Sequence, residues 1–449
     1  MFHLLAMGVA LQAILVESGE WTQIRFDGNG PLNVHGQVAF LVPSQDVIFV
    51  WGGEEEGALG IPIYPDETNL FSLNDMTWSV DSPNGRPDGR KYALAAVPGD
   101  RKEVWVMGGE WHKTYDQDLW RYDLDSKTWT EYVWDYQLDS PLKGQHYISH
   151  ARMLWTGEEM WIYTGDSDIW SFRLPENKET TSIVWTKKTW FAAFGARKTY
   201  RMSFVAVWAS ARREMYVHGG VDYSTAVFGD LWKYSDNSNV WEQINFDGGP
   251  QARAFHVGVW REEKEELFIQ GGIGDVEIFS DLWKYSVPDN TWTLLSQSAP
   301  ARTSSVGVWL PKTQEIWLHG GYCVPKMVDC TEVWKFALMD NCGAFSCAAG
   351  TVRKDHAEDI GSFGQSECCN NITATTTSTY TTATTTFVTI TTSTVSRTTV
   401  TGTTMTGTST VTSTATEQWE EANAANALGG KELRLELIAA VVAIITSHI

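Results

Sequence analysis

Four arginines, Arg90, Arg201, Arg253 and Arg302, each stand 18 residues ahead of a glycine pair, and His146 takes the same place in a further copy. A ring of such cations at the mouth of a channel could hold a carboxylate or sulfate, because guanidinium groups match planar oxyanions in bidentate pairs. The competing reading is architectural: a residue that recurs in one register is what a repeat scaffold produces. A second set is aromatic. Trp111, His112, Tyr115, Tyr223, Phe228 and Tyr322 fall in loops just after glycine pairs. Strand packing does not need them there, and amphipathic rings dominate binding surfaces. The sequence contains no H-E-x-x-H, G-x-S-x-G or P-loop, and Gly272-Ile-Gly274 lacks the third glycine of a dinucleotide fingerprint. Asp166-Ser-Asp168 offers a metal-like pair, but Asp168 shares its register with Asp118, Asp230 and Asp281. Neither a metal nor a cofactor is expected.

The elements that must position these groups are repeats. Asp281-Leu-Trp-Lys-Tyr285 returns as Asn69-Leu-Phe-Ser-Leu73, Asp118-Leu-Trp-Arg-Tyr122, Asp168-Ile-Trp-Ser-Phe172, Asp230-Leu-Trp-Lys-Tyr234 and Glu332-Val-Trp-Lys-Phe336. Each follows a short β-branched and aromatic run, such as Val47-Ile-Phe-Val-Trp51, that ends in a glycine pair or, once, in Thr164-Gly165. Runs of this length and composition read as buried strands. A period of roughly 50 residues belongs to propeller blades and not to helical solenoids. Trp78, Trp129, Trp241 and Trp292 close four repeats, and Trp185 follows an insertion in a fifth. Tryptophans clustered in register indicate packing.

A glycine pair, a spaced tyrosine and a spaced tryptophan, repeated over roughly residues 21 to 340, resemble the kelch repeat. The resemblance implies an all-β fold: a six-bladed kelch-type β-propeller, one four-stranded antiparallel sheet per blade. It also implies an arginine at the register of Arg253-Ala-Phe-His256, which favours the architectural reading of the four arginines. Some kelch-like propellers are copper oxidases with a tyrosine crosslinked to cysteine; no cysteine lies in the first five repeats here. The sixth repeat lacks a tryptophan after Phe336, whereas Trp21-Thr-Gln-Ile24 precedes the first glycine pair with no motif ahead of it. This N-terminal strand is expected to supply the outer strand of the sixth blade and close the ring, removing an unpaired sheet edge.

Connections alternate faces in an antiparallel blade. Loops after the glycine pairs therefore share a face with the links between blades, and tight hairpins such as Arg261 to Glu266 occupy the other. Variable loops on a rigid scaffold carry recognition. The candidate ligand-binding set is Trp111, His112, Tyr223 and Tyr322 with Arg90, Arg201, Arg253 and Arg302. Two function classes follow. The preferred one is a non-enzymatic module, a monomeric propeller that binds a protein or glycan. The alternative is an extracellular kelch-like enzyme that acts on a sugar or small molecule at the channel mouth. A formal charge of −21 excludes a nucleic-acid backbone as partner and suits a cationic one.

The flanks indicate export. Residues 1–18 read as a signal peptide, with an apolar run to Val16 and cleavage after Ser18. The propeller spans 19–340. All six cysteines lie between Cys323 and Cys369. Cys323 and Cys330 can staple the loop after the sixth glycine pair, and Cys342, Cys347, Cys368 and Cys369 form a disulfide appendix over 341–371. Asn371-Ile-Thr373 is an N-glycosylation sequon. Thirty of the 44 residues from Thr373 to Thr416 are Ser or Thr. Such a segment cannot bury enough apolar surface to fold, so 372–417 reads as a disordered, O-glycosylated stalk. Residues 418–449 read as a glycosylphosphatidylinositol lipid-anchor signal, with small residues from Asn423 and an apolar run from Leu437 to Thr446; a tail-anchoring helix and simple secretion are the alternatives. The expected location is the cell surface or outside the cell.

Overall fold

The computed structural model describes residues 21–26, 30–31, 34–57, 61–99, 101–111, 114–115, 118–133, 151–165, 168–177, 180–188, 200–324, 328–338, 351–353 and 369–371. His112, His146, Cys342, Cys347, Cys368, Asn423, the signal peptide, the stalk and the anchor signal lie outside them. The described residues from 21 to 338 belong to one compact unit. Thr351–Arg353 pairs antiparallel with Cys369–Asn371 in a second unit.

The first unit contains six four-stranded antiparallel sheets. In chain order their innermost strands are Val38–Val42, Leu94–Ala96, Arg152–Trp155, Val205–Ala209, Val257–Arg261 and Val306–Leu310. One buried apolar cluster fills each interface between neighbouring sheets, including that between the sixth and the first. Six sheets with six interfaces make a closed ring. The second strand of each sheet is buried on both faces, and Val47–Trp51, Glu103–Met107 and Glu315–His319 read as near-continuous apolar runs for that reason.

Closure occurs through the orphan strand. Trp21–Ile24 pairs antiparallel with Val333–Ala337, with Trp21 opposite Phe336. In the intact repeats the same register sets Trp129 opposite Tyr122, Trp241 opposite Tyr234 and Trp292 opposite Tyr285. The structure corrects the register of the first repeat by two residues. Phe71, not Leu73, takes the place of Tyr122, because Phe71 lies opposite Trp78. The first copy therefore reads Glu67-Thr-Asn-Leu-Phe71, and Trp78 keeps the spacing that Trp129 has from Tyr122.

The glycine pairs set the distance between neighbouring sheets. Gly219 and Gly271 have φ of +67° and +63°, and a Cβ on either would lie 2.5 Å from the carbonyl oxygen of Arg253 or Arg302 in the next sheet. Only glycine accepts both the left-handed backbone and that approach. The second glycine then donates its N–H to the same carbonyl: Gly220 to Arg253 and Gly272 to Arg302, each at 2.9 Å. Gly321 donates likewise to Val34 at 2.9 Å, so the sixth sheet clasps the first as the others clasp their successors.

Candidate functional site: the loop-side mouth of the channel

The four arginines are not open to a ligand. All are at most 3 % exposed. Arg201 grips Asp230 with both terminal nitrogens at 2.9 and 3.0 Å and donates to the Gly219 carbonyl; Arg253 does the same to Asp281 at 2.6 and 2.8 Å and to Gly271. Arg90 grips Asp118, and Arg302 donates to the Gly320 carbonyl. The aspartates of the repeat motif are thereby explained. Each also accepts from the indole two residues on, Trp120, Trp232 or Trp283, at 2.6 to 2.7 Å. In the third sheet Asp168 binds Lys187 at 2.8 Å, while His146, given the arginine register from sequence, lies outside the described residues. These side chains fasten the third strand of a sheet to the segment that enters it.

The residue after each arginine register pairs with the residue after the glycine pair: His35 with Glu54, Lys91 with Glu110, Met202 with Val221, Ala254 with Ile273, and Thr303 with Tyr322. The next residue forms a belt around the mouth. Tyr92 donates its backbone N–H to Gly36, Gly36 to Ser304, Ser304 to Phe255 and Phe255 to Ser203, at 2.6 to 2.9 Å. All five belt residues have positive φ, from +54° to +69°. Four are not glycine, a conformation that persists only where surrounding bonds over-determine it. Here the belt bonds do so.

Chemically the mouth has two halves. Met202, Val221, Ala254, Phe255 and Ile273 form an apolar cluster on the fourth and fifth sheets, joined by Tyr92 and Tyr200. On the first, second and sixth sheets lies a charged cluster. His35 Nδ1 is 2.8 Å from Asp329 and its Nε2 3.9 Å from Glu54, and Lys91 Nζ is 3.0 Å from the other Glu54 oxygen. Burial raises the pKa of Glu54, but Lys91, a Tyr64 hydrogen bond and His35 outweigh it and leave the carboxyl below its usual value. Burial, together with the Asp329 charge, raises that of Glu55. Sequence reading missed this cluster, although part of the signal was present: His35, Glu54 and Lys91 sit one position beyond registers already recognised, whereas Asp329 does not.

The aromatic candidates divide. Trp111 and Tyr223 are exposed, at 38 % and 44 %, and Tyr223 stacks on Tyr200 with ring centroids 4.6 Å apart. Tyr322 is half-buried, edge-on to His35 at 5.9 Å, and Phe228 lies beneath the Arg201 guanidinium at 4.6 Å. Cys323 and Cys330 form a disulfide across the sixth loop. The exposed large apolar residues include Ile61, Ile63, Trp111, Tyr223, Val276 and Val328. Every one of these six lies in a loop that follows a glycine pair, and together they represent five of the six sheets.

Fold and mouth define a closed β-propeller with its variable loops gathered around one end of a central channel. The profile of the KLHDC2/KLHL20/DRC7 Kelch-repeats domain matches residues 9–190 and 166–342, and the chain belongs to this kelch-repeat family. It is similar to the human (Homo sapiens) Kelch domain-containing protein 10, at 22 % identity over 293 residues, covering 63 % of this chain and 51 % of that protein. It is also similar to the Drosophila melanogaster Leucine-zipper-like transcriptional regulator 1 homolog, at 23 % over 276 residues, 57 % of this chain and 26 % of that protein. A third relative is the mouse (Mus musculus) Multiple epidermal growth factor-like domains protein 8, at 23 % over 264 residues, 56 % of this chain and 9 % of that protein. The chain spans about half the length of the Kelch domain-containing protein 10 relatives it matches.

Proposed function

We propose that this chain is a protein-binding propeller whose working surface is the loop-side mouth. The observation that carries the reading is the placement of Ile61, Ile63, Trp111, Tyr223, Val276 and Val328 on one face. Single exposed apolar residues are ordinary on a protein surface; a set shared among the loops of one face is the pattern of an interaction site. Glu55, Glu56, Asp222, Asp275 and Glu277 lie in the same loops. The partner that fits is a segment with apolar side chains flanked by Lys or Arg. Peptides selected from a random display library should show that composition. They should lose binding to the Trp111→Ser/Tyr223→Ser/Val276→Ser variant and keep it on a Val80→Ser/Val240→Ser control. Equal binding to both variants refutes the proposal.

The secretory reading of the flanks gains support from the Cys323–Cys330 bond, since stable disulfides belong to oxidising compartments. We place the mouth outside the cell on that basis, held there by a lipid anchor. Release of the protein from intact cells by a phosphatidylinositol-specific phospholipase is the expected result; retention argues against the lipid anchor. A glycan partner and channel-mouth catalysis are less well supported. His35, Glu54, Lys91 and Asp329 do converge, but each is paired with another member of the cluster.

A further inference from the structure

The central channel is lined by the innermost strands of all six sheets and has a volume of about 230 Å³. Among the described residues none that line it is an Asp or Glu, and one carries a formal charge: Arg152. That is a sharp departure for a chain of formal charge −21. The Arg152 guanidinium lies 5.4 Å from the Phe204 ring centre and donates to the Ala151 carbonyl at 2.9 Å. Among the described residues it has no carboxylate partner, unlike Arg90, Arg201 and Arg253 a few residues off in register.

From this geometry we infer that the channel is an anion site, with Arg152 as its cation and a small monovalent anion of the halide, nitrate or formate class as its ligand. Arg152 is half-buried in the channel, and a guanidinium drawn partly out of water without a counter-charge is costly, a cost that a charge-matched ion relieves. Desolvation lowers the Arg152 pKa to about 10, which leaves the group cationic at neutral pH. One cation favours one negative charge, because a divalent anion would leave the apolar channel negative. The space is ample, since a water molecule occupies about 30 Å³ of liquid.

His256 is the second observation. It lines the channel, is 4 % exposed, and its Nδ1 has no hydrogen-bond partner among the described residues. Its Nε2 is 3.0 Å from His218 Nδ1. When the His218 Nδ1–H donates, the single proton of neutral His256 sits on Nδ1, a donor beside the channel wall with no acceptor among the described residues. Arg152 is near enough to oppose protonation of His256, so one cationic charge, not two, faces the ligand. Gln37, Ser203, Ser304 and Ser305 add polar groups to the wall.

The test uses bromide. Anomalous scattering from crystals of the wild-type protein soaked in sodium bromide should show a peak in the channel within hydrogen-bond reach of Arg152; peaks confined to the outer surface overturn the inference. In solution, replacing gluconate by bromide or formate at fixed ionic strength should raise the melting temperature saturably, as a specific ligand does. Arg152→Gln should abolish the rise, and Arg173→Gln, at an exposed position, should retain it. A rise that is linear in salt, or equal in the wild type and Arg152→Gln, also overturns the site. Should Arg152→Gln fail to fold, the wild-type anomalous map decides alone.

Discussion

Trp21 lies opposite Phe336 with ring centroids 5.2 Å apart, although the two stand at opposite ends of the propeller sequence. The corresponding pair Tyr285 and Trp292 lies 5.1 Å apart within a single hairpin. One packing unit is thus built locally in most sheets and by ring closure in the sixth.

Cutting that closure should destabilise the whole ring. Trp21→Ala is expected to cost about 3 kcal/mol, the lower part of the range for a buried aromatic, because Trp21 is only half-buried. A chain that starts after Ile24 should also expose the edge of Val333–Ala337 and aggregate. Calorimetry and light scattering check both; unchanged melting of the shortened chain refutes the closure argument.

The buried arginines should differ in weight. Arg253→Met leaves Asp281 without its partner, and breaking a buried pair costs roughly 3–5 kcal/mol. Arg302→Met should cost less. Arg302 donates to the Gly320 carbonyl and faces Glu332 in place of the usual aspartate, and burial holds its pKa down at about 10. Denaturant melts of the two variants give the comparison, and equal losses contradict it.

The belt makes a backbone prediction. Gly36 has φ +69°, and a Cβ there would meet Tyr92 Cε1 at 2.9 Å. Gly36→Ala should destabilise by about 1–2 kcal/mol from the left-handed backbone alone. Amide exchange should quicken at Tyr92, whose N–H bonds to Gly36. Unaltered exchange would separate the belt from the stability of the ring.

Acid should unfold the propeller earlier than its surface carboxylates require. Desolvation, with help from nearby arginines, lowers the pKa of His218 and His319 to about 3, and that of buried His256 well below its ordinary value. In the unfolded chain these imidazoles titrate near about 6.5. Between those values the unfolded state binds protons that the folded state refuses, so stability rises with pH. It should be full above about pH 6.5 and fall as pH drops toward about 3. Urea midpoints across that window measure the slope, and His319→Gln should flatten it; an identical slope removes His319 from the account.

Sequence alone determined the repeats, the strands and the closing role of Trp21–Ile24, because each depends on local residue type and fixed spacing. It also placed the loops on one face, since antiparallel order alone dictates that. Tertiary structure decided what spacing cannot carry. Arg253 and Asp281 are 28 residues apart, and only folding shows that they neutralise each other, turning an apparent cation ring into scaffold. His35 and Asp329 are 294 residues apart, and their contact exists because the ring closes. Arg152 has no repeat equivalent in sequence. Its isolation became visible only when six strands enclosed it, because the charge balance of a channel depends on which side chains face inward together.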